Sequence, residues 1–210
     1  MLAAASLTNV LQEIARTYEK STGDRIVFSF GASNLLARQI AAGAPADLFL
    51  SADEASMNRV QTRMRVNVLS NTLVVIGKPI RQPRDLVRMK SIALAEPSSV
   101  PAGIYARQWL ESLRLWSAIE PKVIPTDNVR SALAAVASGN ADAAIVYRTD
   151  ARISKRVRVT YVVTNGPRIV YPFALLRDAE QPAAALRFLH HLRSKQALDT
   201  FIRHGFDVLR

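Results

Sequence analysis

The sequence predicts an α/β fold built from mainly parallel sheets flanked by helices. Short apolar segments of strand length alternate with segments of helical periodicity through both halves of the chain. The predicted helices begin at small or capping residues and several end at a glycine, which is typical of helix termini. A chain of 210 residues can form one large domain or two lobes, and the repeated alternation favours two lobes that share a cleft.

In the first part of the chain the pattern predicts a strand that ends at Met1-Leu2, a helix from Ser6 to about Gly23, strands at 26–30 and 47–50, a helix from Ser33 to just before Gly43, and a short helix at 53–60. The first helix shows its buried face at Leu7, Val10, Leu11, Ile14, Ala15 and Tyr18. Further strands are predicted at 73–76, 92–95, 142–147, 157–163 and 169–176, and further helices at 84–89, after Pro101, after Asn128, and at 149–154, 181–192 and 195–204.

The composition, with 49% hydrophobic and 21% charged residues, is typical of a folded globular protein. The absence of cysteine excludes disulfides, thiol nucleophiles and cysteine metal sites. No apolar run reaches the ~18 residues of a membrane span, and the sequence contains no signal peptide. These features leave a globular α/β protein whose ligand must be inferred from its motifs.

The net charge is strongly positive, at +11 from 28 Lys and Arg against 17 Asp and Glu. Such an excess fits a nucleic-acid surface, an acidic membrane or the steering of an anionic ligand. The basic residues are scattered from Arg16 to Arg210, and their modest clusters at 59–65 and 148–158 are not interleaved with stacking aromatics. We therefore favour a solvated basic surface over nucleic-acid binding.

Four predicted helix starts could hold an anion, at Ser6, at Ser33, around 102–103 and at 128–129. A helix start has unpaired N–H groups and a partial positive charge of ~0.5 e, so it attracts an anion without a cationic side chain. Ser6, Ser33 and Asp127 are predicted as N-caps of their helices. Taken alone, a serine of this kind more often caps its own helix than binds a ligand.

Six short motifs occur together in a fixed order: Ala3-Ala4-Ala5-Ser6-Leu7, Leu36-Ala37-Arg38-Gln39-Ile40, Gly43-Ala44-Pro45-Ala46-Asp47-Leu48-Phe49, Ser51-Ala52-Asp53, Val100-Pro101-Ala102-Gly103-Ile104-Tyr105-Ala106 and Ile145-Val146-Tyr147. This combination resembles the periplasmic molybdate-binding proteins of ABC molybdate transporters, and the match is collinear from about Ala3 to Phe206. The resemblance implies a two-lobed periplasmic-binding-protein-like fold of type II, with the ligand in the interlobe cleft. It also implies a discontinuous lobe I at 1–72 plus 171–210, a lobe II at 73–170, and a hinge near Leu73 and Val170.

The resemblance further implies the ligands of the oxyanion: the hydroxyls and backbone N–H groups of Ser6 and Ser33, the backbone N–H groups of Ala102 and Val129, and the hydroxyl of Tyr147. Molybdenum would be held only as the oxyanion through these residues, without a cofactor. Because every group is a neutral donor, a deprotonated tetrahedral dianion is satisfied, whereas phosphate, which carries an O–H, finds no acceptor. Sulfate is also a dianion, so only cavity size separates it from molybdate or tungstate.

The chain departs from the family pattern at several positions. Gly31-Ala32 and Asn34 stand where the family is often richer in serine, and the segment 61–70 is shorter than the family pattern. The first strand is also short, so we expect its front and a signal peptide to lie upstream or to have been removed. Without the family, Tyr147 fits a core residue and Arg38 a surface or ion-pair residue.

Other functional classes have less support in the sequence. Histidine occurs only at 190, 191 and 204, on predicted C-terminal helices, and no metal-ligand spacing or Gly-rich phosphate loop is present. No segment remains for the helix-turn-helix of a transcription regulator. We therefore expect a non-enzymatic, monomeric, extracytoplasmic receptor that binds molybdate or tungstate and delivers it to a membrane ABC permease, with another oxyanion such as sulfate as the alternative ligand.

Overall fold

The computed structural model describes residues 1–209 and separates the chain into two compact units. The first unit consists of Met1–Ser70 together with the chain from Val170 onward, and the second unit is the continuous segment Asn71–Ile169. The chain therefore leaves the first unit once and returns to it once. Each unit has its own sheet and its own helices.

The strands in chain order are β1 (Leu2–Ala4), β2 (Ser29–Gly31), β3 (Leu48–Leu50), β4 (Thr62–Asn71), β5 (Leu73–Gly77), β6 (Ile92–Ala95), β7 (Val123–Thr126), β8 (Ala143–Tyr147), β9 (Val159–Val162), β10 (Ile169–Leu176) and β11 (Asp207–Val208). The α-helices are α1 (Thr8–Thr22), α2 (Ser33–Ala41), α3 (Glu54–Met57), α4 (Pro101–Ser112), α5 (Trp116–Ile119), α6 (Val129–Ala137), α7 (Arg148–Ala151), α8 (Pro182–His191) and α9 (Lys195–Arg203). None of the helices within residues 1–209 has the length and apolarity needed to cross a membrane.

The sheet of the first unit has six strands in the order β11-β4-β10-β3-β1-β2. β1 runs parallel to both β2 and β3, whereas β10 is antiparallel to β3 and β11 is antiparallel to β4. The helices α1, α2 and α3 follow β1, β2 and β3 in the sequence. The carboxyl ends of these three parallel strands therefore lie at one edge of the sheet, where α2 and α3 and the turn before α1 begin.

The sheet of the second unit has five strands in the order β7-β6-β8-β5-β9. β6 runs parallel to β7 and β8, and β5 is antiparallel to both β8 and β9. Both sheets are thus mixed, where the sequence predicted mainly parallel ones. β1, β2 and β3, and likewise β6, β7 and β8, are joined through helices and run parallel, whereas β5 and β10 enter their sheets directly after the chain changes unit and run antiparallel to β8 and β3, respectively.

The buried faces follow the predicted periodicity. The predicted face of the first helix is confirmed, since Leu7, Val10, Leu11, Ile14, Ala15 and Tyr18 are all buried. The helix ends at Gly23, whose φ of +76° is a left-handed conformation that favours glycine. All residues of β6 and β8 are buried, as expected for strands covered on both faces.

Three predicted N-caps are wrong. Ser6 lies in a 3₁₀ turn at Ala5–Leu7 that precedes α1, and its side chain caps no helix. Ser33 is the first helical residue of α2, and Ala32 occupies the N-cap position. Asp127 is exposed, and the neighbouring Asn128 caps α6. In each case the true start lies within two residues of the predicted one.

Some elements were missed or shortened. β4, β7 and β11 were not predicted, β2 and β9 are shorter than expected, and the helix predicted at 84–89 is a 3₁₀ turn at Pro83–Arg88. β7 contains Pro125, which has no N–H to donate to a ladder. The proline is tolerated because β7 is an edge strand that pairs only with β6.

Candidate functional site

Ser6 and Ser33 occupy equivalent positions at one edge of the first sheet. Ala4 of β1 pairs with Gly31 of β2, and each serine lies two residues beyond its strand residue. Both serines are buried. The sheet register, together with the short turns that follow β1 and β2, therefore brings two buried hydroxyls to the carboxyl ends of neighbouring parallel strands.

The hydroxyl of Ser6 is held by a residue from the other end of the chain. Its Oγ lies 3.0 Å from the hydroxyl oxygen of Tyr171, and the two groups form a buried hydrogen bond. Tyr171 is completely buried and packs edge-on against Phe206, with 5.4 Å between the ring centroids. Sequence reasoning missed Tyr171, because a contact across 165 residues leaves no local pattern.

Ser33 presents a hydroxyl whose orientation is fixed by the neighbouring strand-to-helix turn. Its Oγ accepts a hydrogen bond from the backbone N–H of Ala52 at 3.0 Å, so the hydroxyl hydrogen remains available to a ligand. The bonds of α2 start with the N–H groups of Leu35 and Leu36, both donated to the carbonyl of Ala32. The N–H groups of Ser33 and Asn34 precede this ladder and are further donors at the same edge.

The second unit repeats this arrangement at the carboxyl edge of its parallel strands. Ala95 of β6 pairs with Thr126 of β7, and β8 runs parallel to β6 on its other side. The chain leaves these strands toward α4, α6 and α7 respectively. Ala102 and Val129 therefore lie in the first turns of the helices that follow β6 and β7, Tyr147 is the last residue of β8, and all three residues are buried.

The N-cap of α6 determines which backbone N–H groups of its first turn are already hydrogen-bonded. Asn128 Oδ1 accepts hydrogen bonds from the N–H groups of Arg130 at 2.9 Å and Ser131 at 3.1 Å. The next N–H along the helix, that of Ala132, donates to the carbonyl of Asn128. Val129, the first helical residue, is left with an N–H that neither the cap nor the helix uses.

The start of α4 is packed closely against the end of β6. Pro101 is the first helical residue and the first helical bond runs from the N–H of Ile104 to the carbonyl of Val100, so the N–H of Ala102 precedes the ladder. A Cβ atom on Gly103 would lie 1.9 Å from the carbonyl oxygen of Ala95. Only glycine at position 103 allows this helix start to approach the strand so closely.

Tyr147 is the last residue of β8 and is 1% exposed. Three residues later, the carboxylate of Asp150 is fully buried, with its Oδ1 2.5 Å from Nε of Arg130. Burial raises the pKa of the Asp150 carboxyl from 3.8 to about 6, and the Arg130 guanidinium and a hydrogen bond from the Tyr147 backbone oppose part of this rise. A buried ion pair thus lies directly beside two of the predicted ligands.

This pair predicts a distinct pH dependence of stability. A folded-state pKa near 6 against 3.8 means that, between these values, the folded protein keeps a proton that the unfolded chain has lost. The contribution of Asp150 to the free energy of unfolding should therefore fall as pH rises from about 4 to about 6 and stay constant above about 7. Urea unfolding of the wild type and of Asp150→Asn across this pH range measures this contribution as the difference between their free energies of unfolding. A difference that is flat or rises with pH would contradict the expectation.

The remaining candidates belong to other parts of the fold. His204 Nε2 lies 2.7 Å from Glu13 Oε2, His191 packs against the ring of Tyr18, and Arg38 is exposed. Within residues 1–209 no three His, Cys, Asp or Glu side chains are grouped so that they could hold a metal ion. The predicted ligands lie at the carboxyl ends of parallel strands in each unit, Ser6 and Ser33 in the first and Ala102, Val129 and Tyr147 in the second.

Comparison with known proteins identifies relatives over nearly the whole chain. Residues 1–207 match the family described as bacterial extracellular solute-binding protein. The chain is 38% identical to the molybdate-binding protein ModA of Escherichia coli over 99% of this chain and 88% of that protein, and 32% identical to ModA of Haemophilus influenzae over 99% and 89%.

Solved structures show the same fold. The periplasmic molybdate-binding protein of Azotobacter vinelandii superposes with a TM-score of 0.89 at 24% identity, over 100% of this chain and 99% of that one. The sulfate-binding protein SubI of Mycobacterium tuberculosis superposes with a TM-score of 0.87 at 18% identity, over 98% and 84%. At these identities the structures establish the two-lobed fold of periplasmic binding proteins, whereas the closer sequence relatives establish the family. The chain therefore belongs to the ModA family of bacterial extracellular solute-binding proteins.

Proposed function

We propose that this protein captures molybdate or tungstate outside the cytoplasm and delivers it, as a monomer, to an ABC permease. The observation that carries the proposal is the 38% identity, over nearly the whole chain, to a protein named for molybdate binding. The placement of the predicted ligands at the carboxyl edges of the parallel strands supports it, because ligands of open α/β sheets bind at that edge.

The proposed ligands are the hydroxyls and N–H groups of Ser6 and Ser33, the N–H groups of Ala102 and Val129, and the hydroxyl of Tyr147. Hydrogen-bond donors of this kind stabilise an anion through dipoles, and they need no counter-charge. A site made only of donors favours an anion without a proton, which excludes phosphate at neutral pH. Selection of molybdate over sulfate then depends on how far apart the fixed donors hold the oxygens.

Thermal unfolding with a panel of anions tests the proposal. A ligand at ~100 times its dissociation constant adds ~2.7 kcal/mol to the stability of the state that binds it. For a chain of this size ~1 kcal/mol corresponds to ~2–4 °C, so molybdate and tungstate should raise the melting temperature by ~5–11 °C. Sulfate and phosphate at equal concentration should leave it unchanged.

Each other result of the panel has a definite meaning. A shift with sulfate alone would reassign the ligand to the alternative oxyanion. No shift with any of the four anions would contradict the proposal, provided that the protein without added anion melts in a single cooperative transition, which shows that it is folded. The molar mass measured by light scattering of the same sample tests whether the protein is a monomer.

A further inference from the structure

In the second unit, two of the proposed donors lie on different elements that a single buried ion pair connects. Val129 begins α6, and the next residue, Arg130, reaches Asp150 with its Nε 2.5 Å from Oδ1. Asp150 belongs to α7, which directly follows Tyr147 at the end of β8. The same carboxylate also receives a hydrogen bond from the backbone of Tyr147. One carboxylate thus contacts both the chain next to Val129 and Tyr147 itself.

The pair is largely buried, and hydrogen bonds anchor the residues next to it. The Asp150 side chain is fully buried, and the Arg130 side chain is 23% exposed. On the Arg130 side, the N–H is bound to Asn128 Oδ1 at 2.9 Å, which fixes the first turn of α6. On the Asp150 side, the neighbouring Thr149 accepts a hydrogen bond from Asn71 Nδ2 at 2.9 Å, which ties α7 to the first residue of the second unit. Both elements that carry the pair are thus anchored by further hydrogen bonds next to it.

A buried ion pair of this kind is a poor source of stability. The cost of removing two charges from water often equals or exceeds their attraction, so well-packed apolar residues can replace such a pair at little cost in stability. What the pair does provide is a directional link between two elements, because a planar guanidinium bonds a carboxylate in few orientations. The main effect of the pair is therefore to fix the position of α6 relative to α7.

We propose that Arg130 and Asp150 are positioning residues that hold the N–H of Val129 and the hydroxyl of Tyr147 at the spacing required by a tetrahedral oxyanion. The proposal rests on the proposed function, because it assigns a role to the neighbours of two proposed ligands. The pair acts through Val129 and Tyr147 and not through its own charge on the anion. It thereby contributes to the discrimination between oxyanions of different size.

Two variants distinguish the contribution of the pair's geometry to molybdate affinity from the contribution of its charge. Arg130→Met/Asp150→Leu removes the pair without leaving a buried charge, and Arg130→Lys keeps the cation but loses the planar guanidinium. We expect both to raise the dissociation constant of molybdate by ~10- to 100-fold, as the loss of a residue that orients a ligand group does in metal sites. Calorimetric titration with sodium molybdate and sodium sulfate gives both constants for each protein.

Asp142→Asn is the matched control. Asp142 is also a carboxylate of the second unit paired with a cation, with its Oδ1 2.7 Å from Lys78 Nζ, but it precedes β8 and so lies at the opposite end of that strand. It also accepts a hydrogen bond from the N–H of Lys90 at 2.8 Å. This variant should lower the melting temperature while the molybdate constant and the ratio of the sulfate to the molybdate constant stay those of the wild type. In the two test variants that ratio should fall.

Three outcomes overturn the inference, and one of them also overturns the proposed function. If the wild type binds molybdate and the double variant binds it equally well with an unchanged ratio, the positioning role is wrong and the proposed function stands. If Arg130→Lys binds molybdate like the wild type, the positive charge of Arg130, and not the planar geometry of its guanidinium, accounts for its contribution to affinity. If the wild type binds neither molybdate nor sulfate, both are wrong. If the wild type prefers sulfate, the proposed ligand is sulfate. The ratio of the sulfate to the molybdate dissociation constant in the two variants then still tests the positioning role of Arg130 and Asp150.

Discussion

Replacing Gly103 with alanine should lower the free energy of unfolding of the second unit by about 3 kcal/mol or more. Helix propensity alone predicts the opposite sign, since alanine is favoured over glycine by ~1 kcal/mol within a helix. The new Cβ, however, would lie 1.9 Å from the carbonyl oxygen of Ala95 and 2.7 Å from that of Glu96. These are backbone atoms, which cannot move aside as a flexible side chain can, so α4 must shift away from β6.

Gly139→Ala provides the comparison within the same unit. Gly139 has a φ of +79°, but a Cβ there would meet no atom within 4 Å, so only backbone strain of ~1 kcal/mol is expected. Urea denaturation of both variants measures the difference. A Gly103→Ala protein as stable as the wild type would show that the helix start can move freely. In that case the close approach of α4 to β6 could not be what places the N–H of Ala102.

Replacing Ser33 with alanine should weaken molybdate binding by ~10- to 100-fold, the equivalent of ~1.5–3 kcal/mol for a hydrogen bond to a charged group. Ser33 is 1% exposed, and its hydroxyl oxygen accepts the N–H of Ala52. The hydroxyl is therefore already oriented, and little side-chain entropy is lost when it binds the anion. The variant should also be less stable by ~1–3 kcal/mol, because the buried N–H of Ala52 loses its acceptor. Titration with molybdate and denaturation of the anion-free protein measure the two effects separately.

Ser194→Ala removes a hydroxyl with the same kind of partner elsewhere in the first unit. Ser194 caps α9 and accepts the N–H of Ala197 at 3.3 Å. Its loss should cost ~1 kcal/mol of stability and leave the affinity for molybdate unchanged. If Ser33→Ala behaved like this control, with lower stability but unaltered affinity, Ser33 would be a structural residue and not a ligand.

Sequence reasoning succeeds here where the determinant is local. The buried strands β6 and β8 and the apolar face of α1 follow from periodicity, because burial on one or both faces imposes it. β4 also carries a local signal, since Met64, Val66 and Val68 alternate with exposed residues, although the strands predicted from the sequence do not include it. β7 gave no such signal, because the proline within it resembles a loop.

The exact helix starts depend on competition between adjacent residues. Asp127 and Asn128 are both good N-caps, and the one that caps is decided by where β7 ends and not by the residue type. Ala32, and not Ser33, is the N-cap of α2. The Ser33 hydroxyl accepts a hydrogen bond from the N–H of Ala52 in the neighbouring turn and does not cap the helix. The contacts of Ser6 with Tyr171 and of Arg130 with Asp150 are tertiary, so periodicity and motif spacing contain no trace of them.

The discontinuous first unit has a consequence for the newly made chain. β10 stands between β4 and β3 in the first sheet, yet it comes from residues 169–176, after the whole second unit. A growing chain can therefore complete the second unit while β3 still has an open edge and β4 has no neighbour. Unpaired strand edges attract other chains. The risk of aggregation is accordingly highest between the synthesis of Asn71 and that of Leu176. During this period we expect a chaperone to bind residues 48–71, whose strand edges are unpaired.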